Sequence, residues 1–347
     1  MKNKTKKGDE KRINKLYSNK KNKKKKARYK IRNWREYNES LVRRYDINVW
    51  IEKGIAEVWQ EGNTIIIRKK KQGAPRIYSN MAIECLVTVQ DLFNLPYRGI
   101  EGFARSLIPV LLQKKVNIPD YSTINRRRKY LSITLPHKTK NKEGKTPIDI
   151  VIDSSGLKVY GEGEWKVRQH GISKRRTWRK IHLGVNPKTG FIEASELTEN
   201  RVDDAAMVES LLNNIDNPID KCAGDGAYDK RKVYEIIRTK VQHILIPPCK
   251  GARIWFHGNK RSDPHPRDEN IRMIRKLGRT KWKKESGYHM RSLSEVAIYR
   301  FKTILGNTLS ARIYENQRTE VAIKCKILNK MTSLGMPDSY KVDLKVM

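Results

Sequence analysis

"IDIVIDSSG" (residues 148–156) is an apolar run interrupted by two acids. Side-chain alternation puts Ile148, Ile150 and Ile152 on one face of a strand and Asp149, Val151 and Asp153 on the other. Asp153 comes last, at the C-terminal mouth of the strand. A carboxylate at the end of a buried strand, followed by the small residues Ser154, Ser155 and Gly156, is placed to hold a cation beside a ligand that approaches the backbone closely. For Asp153 taken alone, a turn-forming Asx-type cap is the alternative.

Downstream, "WRKIHLGVN" (178–186) and "FIEASELT" (191–198) have strand character and are joined by the hairpin-like turn "PKTG". "VDDAAMVESLLNNI" (202–215) reads as an amphipathic helix, with Asp203 and Asp204 at its start. "IDKCAG" (219–224) reads as a strand, "DKRKVYEIIRTK" (229–240) as a helix capped by Asp229, and "HILIP" (243–247) as a further strand. The order β-β-β-α-β-α-β-α predicts an α/β fold, a mixed sheet with helices packed on it. Residues 249–284 are basic and lack clear periodicity, so a loop over the sheet is expected there.

Upstream, helical apolar spacing is strongest over Met81 to Phe93 and Ile100 to Leu112, with breaks at "LPYRG" (95–99) and "NIPDYS" (117–122). In "DYSTINRRRKYL" (120–131), Asp120 or Ser122 can cap a short helix carrying Arg126, Arg127, Arg128 and Lys129. Two apolar helices followed by a basic third resemble a helix-turn-helix reader of the major groove, with Arg126, Arg127 and Arg128 as DNA contacts; a solvated basic face is the alternative. "HKTKNKEGKTP" (137–147) suits an exposed linker. The expected organisation is a disordered Lys-rich tail (1–28), a small helical, helix-turn-helix-like DNA-binding region (29–136), a linker (137–147), a catalytic domain (148–335) and a C-terminal tail (336–347).

The 347 residues carry 75 Lys and Arg against 37 Asp and Glu, a formal charge of +38, and residues 1–28 alone hold fourteen bases and two acids. Such a charge draws the chain to polyanions through counterion release, which makes nucleic acid the default partner and leaves the chemistry open. Cys85, Cys222, Cys249 and Cys325 are far apart with no C-x-x-C pair, which argues against a structural zinc site or a disulfide framework and for reduced thiols in a cytoplasm. No secretory signal or run of about eighteen apolar residues marks a membrane protein.

Two further acids stand with Asp153. "CAGDGAYD" ends an apolar strand with Asp225 between two glycines, although strand-Asp-Gly is also ordinary turn chemistry. In "YHMRSLSEVAIYRFK" (288–302), Tyr288, Arg291, Glu295, Tyr299 and Lys302 share one helical stripe about 80° wide, beside a broad apolar face. "SLSE" (292–295) is equally a capping box, in which the helix begins at Ser292 and Glu295 reaches back to its N–H. If Glu295 joins Asp153 and Asp225, three acids at close quarters require cations between them. Hard oxygen ligands without a His or Cys cluster favour Mg²⁺ or Mn²⁺, and two such ions activate a water or a 3′-hydroxyl for in-line phosphoryl transfer.

Asp153, then "DGAYD" around Asp225, then Tyr288-x2-Arg291-x3-Glu295-x6-Lys302 resembles the DDE transposases of bacterial insertion sequences, in the group with the Y-R-E-K signature. "DSSGLKVYGEGEWKVRQHG", "RRTWRKIHLGV", "GYHMRSLSEVAIYRFKTILG" and "ENQRTEVAIKCKILNKMTSLGMP" are similar to the insertion-sequence family numbered five, over about Asn33 to Pro337. The resemblance implies a ribonuclease-H-like core with Asp153, Asp225 and Glu295 as catalytic metal ligands. It also implies cleavage at terminal inverted repeats and joining of the 3′ ends to target DNA. Tyr288, Arg291 and Lys302 match positions expected to contact DNA phosphates. Synapsis of two ends would make a homo-oligomer, in a bacterial cytoplasm at the nucleoid. The Lys-rich leader departs from the family pattern. A noncatalytic nucleic-acid-binding regulator, or a ribonuclease-H-like nuclease without strand transfer, are the rivals.

Overall fold

The computed structural model describes residues 28–52, 54–60, 77–136, 146–159, 178–256 and 264–342. Most of the Lys-rich leader, residues 137–145 of the expected linker and residues 160–177 lie outside them. In chain order, β1 (Arg28–Ile31), α1 (Trp34–Arg43) and the short α2 (Ile47–Trp50) precede three longer helices, α3 (Asn80–Phe93), α4 (Tyr97–Leu111) and α5 (Tyr121–Arg128). The strands β2 (Ile148–Val159), β3 (Trp178–Val185) and β4 (Ile192–Glu199) follow, then α6 (Val208–Asn213), β5 (Ile219–Ala223), α7 (Arg231–Arg238) and β6 (Val241–Leu245). The chain continues through α8 (Pro266–Leu277), α9 (Arg279–Glu285), α10 (Ser292–Ile304), β7 (Thr308–Leu309), α11 (Tyr314–Leu334) and β8 (Ser339–Val342).

Two units divide the chain, residues 42–334 and residues 1–41 with 335–347. In the smaller, β1 pairs antiparallel with β8, Arg28 opposite Val342. Asp338 closes this ribbon, its N–H donating to Asn33 Oδ1 at 2.7 Å. The segment expected as a C-terminal tail from 336 therefore contributes a strand, and Arg28, expected in the leader, is its partner.

In the larger unit six strands among the described residues form one mixed sheet in the order β4-β3-β2-β5-β6, with β7 pairing the far end of β2. β3 runs antiparallel to both β2 and β4, while β5 and β7 lie parallel to β2 and β6 parallel to β5. This is the ribonuclease-H-like arrangement: three strands joined as a meander, then two returned by helical crossovers, with helices on the sheet. One core, containing Ile83, Leu86 and Ile124 of the helical region, Leu157, Ile181 and Leu197 of the sheet, and Phe301 and Val321 of the later helices, joins both sides of the expected linker. A second core on the crossover helices gathers Ile150, Ile152, Val208, Tyr228, Val233 and Ile237.

Two expectations need correction. Residues 249–284 are not all loop, because α8 lies within them and α9 begins there. α8 has strong local signals: Pro266 in its first turn, Asp268 and Glu269 near its start, Arg275 and Lys276 near its end. Its buried side is mostly polar, with Ile271 the single buried apolar residue beside Arg267, Asp268 and Asn270, which is why apolar periodicity misses it. Arg267 Nε donates to Asp229 at 2.7 Å, Asp268 accepts the N–H groups of Trp255 and Phe256 at 2.9 Å each, and Asn270 donates to Ile244 O at 3.0 Å. Asp229 is thereby a partner of Arg267 and not the cap of α7, whose N-cap is Lys230.

The second correction concerns α5. Asp120 caps it as expected, accepting from the N–H groups of Ser122 at 2.8 Å and Thr123 at 2.9 Å. Arg128, however, is only 1% exposed. Its guanidinium pairs with Asp91, in the last turn of α3, at 2.5 Å. A buried ion pair of this kind has no freedom to meet DNA. Arg127 is also occupied, donating to Tyr78 O and, at 2.6 Å, to Asn80 Oδ1 at the start of α3. Arg126 alone of the three is exposed.

Breaking the Asp91 pair strands a charge, so Arg128→Ala is expected to cost about 3–5 kcal/mol in urea unfolding, against less than about 0.5 kcal/mol for Arg126→Ala. A second measurement uses His182, fully buried on β3 with Nε2 2.8 Å from Thr198 Oγ1. Burial pushes its pKa down from 6.5 to about 4. The unfolded chain takes up the proton first, so stability is lost as pH falls from about 6.5 to about 4, by roughly 2–3 kcal/mol. His182→Gln is expected to remove that part of the slope in unfolding experiments between pH 4 and 7.

Candidate active site

The site is set by register. Val151 of β2 pairs in parallel with Ala223 of β5. Two residues further along each strand direction stand Asp153 and Asp225, so the two carboxylates emerge beside one another at the point where β5 ends. Asp225 keeps an extended backbone, and Gly224 N–H still pairs with Leu245 O at 3.3 Å. Gly224 sits in a tight place: a Cβ there would lie 3.0 Å from Tyr228 Cδ2 and 3.2 Å from Ile152 Cγ1. Val151, Ala223, Leu245, Trp282 and Tyr288 form a small core beneath the acids.

β2 does not end at Asp153 as expected. It continues to Val159, paired with β3 as far as Lys158 opposite Trp178. The mouth is real on one side only, where β5 stops and β3 does not.

Asp153 is held at both oxygens. Oδ1 accepts the Ser154 N–H at 2.9 Å, and Oδ2 accepts the Ser294 hydroxyl at 2.9 Å. Partial burial raises its pKa; the serine donors and Arg291 oppose the rise, and the Asp225 charge adds to it. Asp225 uses Oδ1 to accept the Ala227 N–H at 2.8 Å, the turn chemistry its sequence allowed, which leaves Oδ2 uncommitted to that turn.

α10 packs across β2 and β3. Gly287 takes a left-handed backbone, φ 76°, and Tyr288–Arg291 forms a tight 3₁₀ turn that feeds the helix at Ser292. The helix thus starts where the capping box would start it, but the box is not made: the N-cap position is Arg291, and no side chain caps it. Ser292 instead donates to His289 O at 2.9 Å. Ala297 and Phe301 bury the helix against the sheet. Lys302 Nζ donates to Ser155 Oγ at 2.7 Å, a second tie to β2.

Glu295 is 57% exposed at the rim and pairs with Arg291 one turn back. The same guanidinium lies 3.8 Å from Asp153 Oδ2, so Arg291 stands between two of the three acids. Among the described residues no three His, Cys, Asp or Glu side chains gather closely enough to hold a metal ion. Glu295 takes its i,i+4 neighbour Arg291 as ion-pair partner. Tyr288 also departs from expectation. It is 7% exposed, with its ring 5.6 Å from that of Trp282, and serves as the floor of the site. Arg126, Arg127 and Arg128 do not join this group; α5 packs with α3, α4 and α11. The residue that sequence reasoning missed is Ser294. On a helical wheel it lies within about 20° of Phe301 and 60° of Ala297, a hydroxyl on the buried arc.

Several solved structures resemble the chain at low identity. The Drosophila P element transposase strand transfer complex matches at 10% identity over 62% of this chain and 44% of that one, with a TM-score of 0.28. The Mos1 transposase paired-end complex with left transposon end matches at 11% identity over 68% and 81%, with a TM-score of 0.20. The Mos1 strand transfer complex matches at 10% identity over 70% and 82%, with a TM-score of 0.21. The chain thus spans less than half the length of the P element protein.

Family profiles are more direct. One described as a transposase DDE domain matches residues 42–162, and another with the same description matches residues 144–330. The second covers more than half the chain and takes in Asp153, Asp225 and the helix carrying Glu295 in a single match, and on that ground the chain belongs to the DDE transposase family.

Proposed function

We propose that this transposase binds the terminal inverted repeats of an insertion sequence, cleaves DNA at the element's ends and joins the 3′ ends to target DNA, with Mg²⁺ or Mn²⁺ as cofactor. One observation carries the proposal: the parallel register of β2 and β5 brings Asp153 and Asp225 side by side beneath the helix that bears Glu295. The donor set fits a hard divalent cation. Two carboxylates share a partly buried mouth, and burial together with the neighbouring charge of Asp225 makes ionised Asp153 costly unless positive charge is supplied. Bound there, such ions would supply Lewis-acid activation of a water or 3′-hydroxyl and neutralise charge at the transferring phosphate.

The chain's own residues do the rest. Asp153 and Asp225 offer oxygens at the mouth, and Glu295 joins them by rotating its side chain away from Arg291. Arg291, so released, turns its planar fork to a phosphate as a charge-assisted donor. Lys302 keeps one N–H on Ser155 and presents its other two to the DNA backbone. Arg126, exposed on α5, contacts phosphate away from the cut, and the +38 charge supplies the nonspecific attraction. Tyr288 supports the site from below. No helix among the described residues is long and apolar enough to cross a membrane. Action at the nucleoid by a homo-oligomer that synapses two ends completes the proposal.

Asp153→Asn, Asp225→Asn and Glu295→Gln are each expected to drop Mg²⁺-dependent cleavage of a labelled inverted-repeat duplex below detection, while gel-shift affinity stays within about threefold of wild type. Continued cutting by Glu295→Gln would remove that residue from the site. Wild-type protein that binds but never cuts would be a regulator, and cutting without strand-transfer products would mark a nuclease.

A further inference from the structure

We infer that Ser294 is a positioning residue of the catalytic centre: its hydroxyl fixes the carboxylate of Asp153 and so sets the first aspartate and the glutamate-bearing helix in one frame. This rests on the metal-binding reading above. Ser294 is fully buried, on the arc of α10 that also carries Ala297 and Phe301. A hydroxyl in that setting is costly unless it is bonded, and an alanine would fill the arc with no polar atom to satisfy.

Its bonds identify what it does. Oγ lies 2.9 Å from Asp153 Oδ2 and 2.7 Å from Arg291 O. A hydroxyl has one proton, so it serves one acceptor at a time. Arg291 occupies the N-cap position, where the carbonyl already accepts the first bond of the helix, and does not need the hydroxyl. An ionised Asp153 does. With Ser154 N–H on Oδ1 and Ser294 on Oδ2, the plane of the carboxylate is fixed by two donors from two different elements.

The same bond also sets Glu295. Consecutive helical residues are about 100° apart, so a helix pinned through Ser294 against Asp153 carries Glu295 to the rim of the same mouth. Lys302 to Ser155 pins the helix two turns further along, so the helix can neither slide nor roll without breaking a tie. Partners that orient a ligand in this way change metal affinity by about 10- to 100-fold when removed.

The test measures Mn²⁺ binding to the full-length protein by electron paramagnetic resonance of the free ion, for wild type, Ser294→Ala and Ser294→Cys. The cysteine keeps side-chain volume while replacing a strong donor with a weak one. Both variants are expected to bind Mn²⁺ about 10-fold more weakly. Their urea unfolding midpoints should stay near wild type, and cleavage should recover as Mn²⁺ is raised, a rescue that a merely structural defect would not show. Affinity within twofold of wild type in both variants, while Asp153→Asn abolishes binding, overturns the role of Ser294 and leaves the metal site standing. Binding that Asp153→Asn fails to move overturns the metal site and this inference together.

Discussion

Parallel pairing of β2 with β5 is the constraint on which the rest of this molecule depends. Once Val151 is fixed opposite Ala223, the alternation of side chains leaves no choice about the next position: Asp153 and Asp225 come out on the same side, above a floor of apolar and aromatic groups. A slip of one residue would send Asp153 to the opposite face, among the isoleucines of the crossover core. Gly224 fits the same packing, since a side chain there would crowd Tyr228 and Ile152. Two carboxylates in a half-buried mouth repel, and burial makes the repulsion stronger. The pair is therefore poorly suited to a purely structural role and well suited to a cation.

Around this pair the protein is stiff. α10 is tied to β2 at Asp153 and at Ser155, and its apolar face enters the same core as the helical region upstream of the sheet. The buried Arg128–Asp91 pair locks α5 to α3, and Glu320 of α11, also buried, accepts the N–H groups of Ser310 and Ala311 just beyond β7. Within this unit, the exposed Arg126 is carried on a framework continuous with the sheet. Arg291 is the charge shared across this setting, paired with Glu295 and 3.8 Å from Asp153 Oδ2.

Much of this was legible in the sequence. The strands announced themselves by apolar alternation, and the mixed α/β order followed from their spacing. What was not legible failed for identifiable reasons. Asp153 was expected at a strand end, but a strand ends relative to its neighbour, and one sequence cannot show that β5 stops where β3 continues. Arg128 was expected as a DNA contact because its partner, Asp91, lies 37 residues away in the last turn of an apolar helix. That acid, in "LVTVQDLF", was the signal. α8 escaped because its buried side is Arg267, Asp268 and Asn270 with Ile271 the single apolar residue, too few for a hydrophobic period to detect. Glu295 was recognised as special, yet both readings of it were incomplete: the helix starts at Ser292 without the capping box, and the acid rests on Arg291. Ser294 was the missed clue, a hydroxyl among apolar neighbours on the buried arc.

The central claim is that Asp153 and Asp225 share a divalent cation. Anomalous diffraction from crystals of the protein soaked in Mn²⁺ addresses it directly. The account predicts a peak at bonding distance from an oxygen of each aspartate, with Glu295 turned off Arg291 toward it. Saturating Mn²⁺ with no peak there, or a peak bound elsewhere with Arg291 still bridging Asp153 and Glu295, would contradict it.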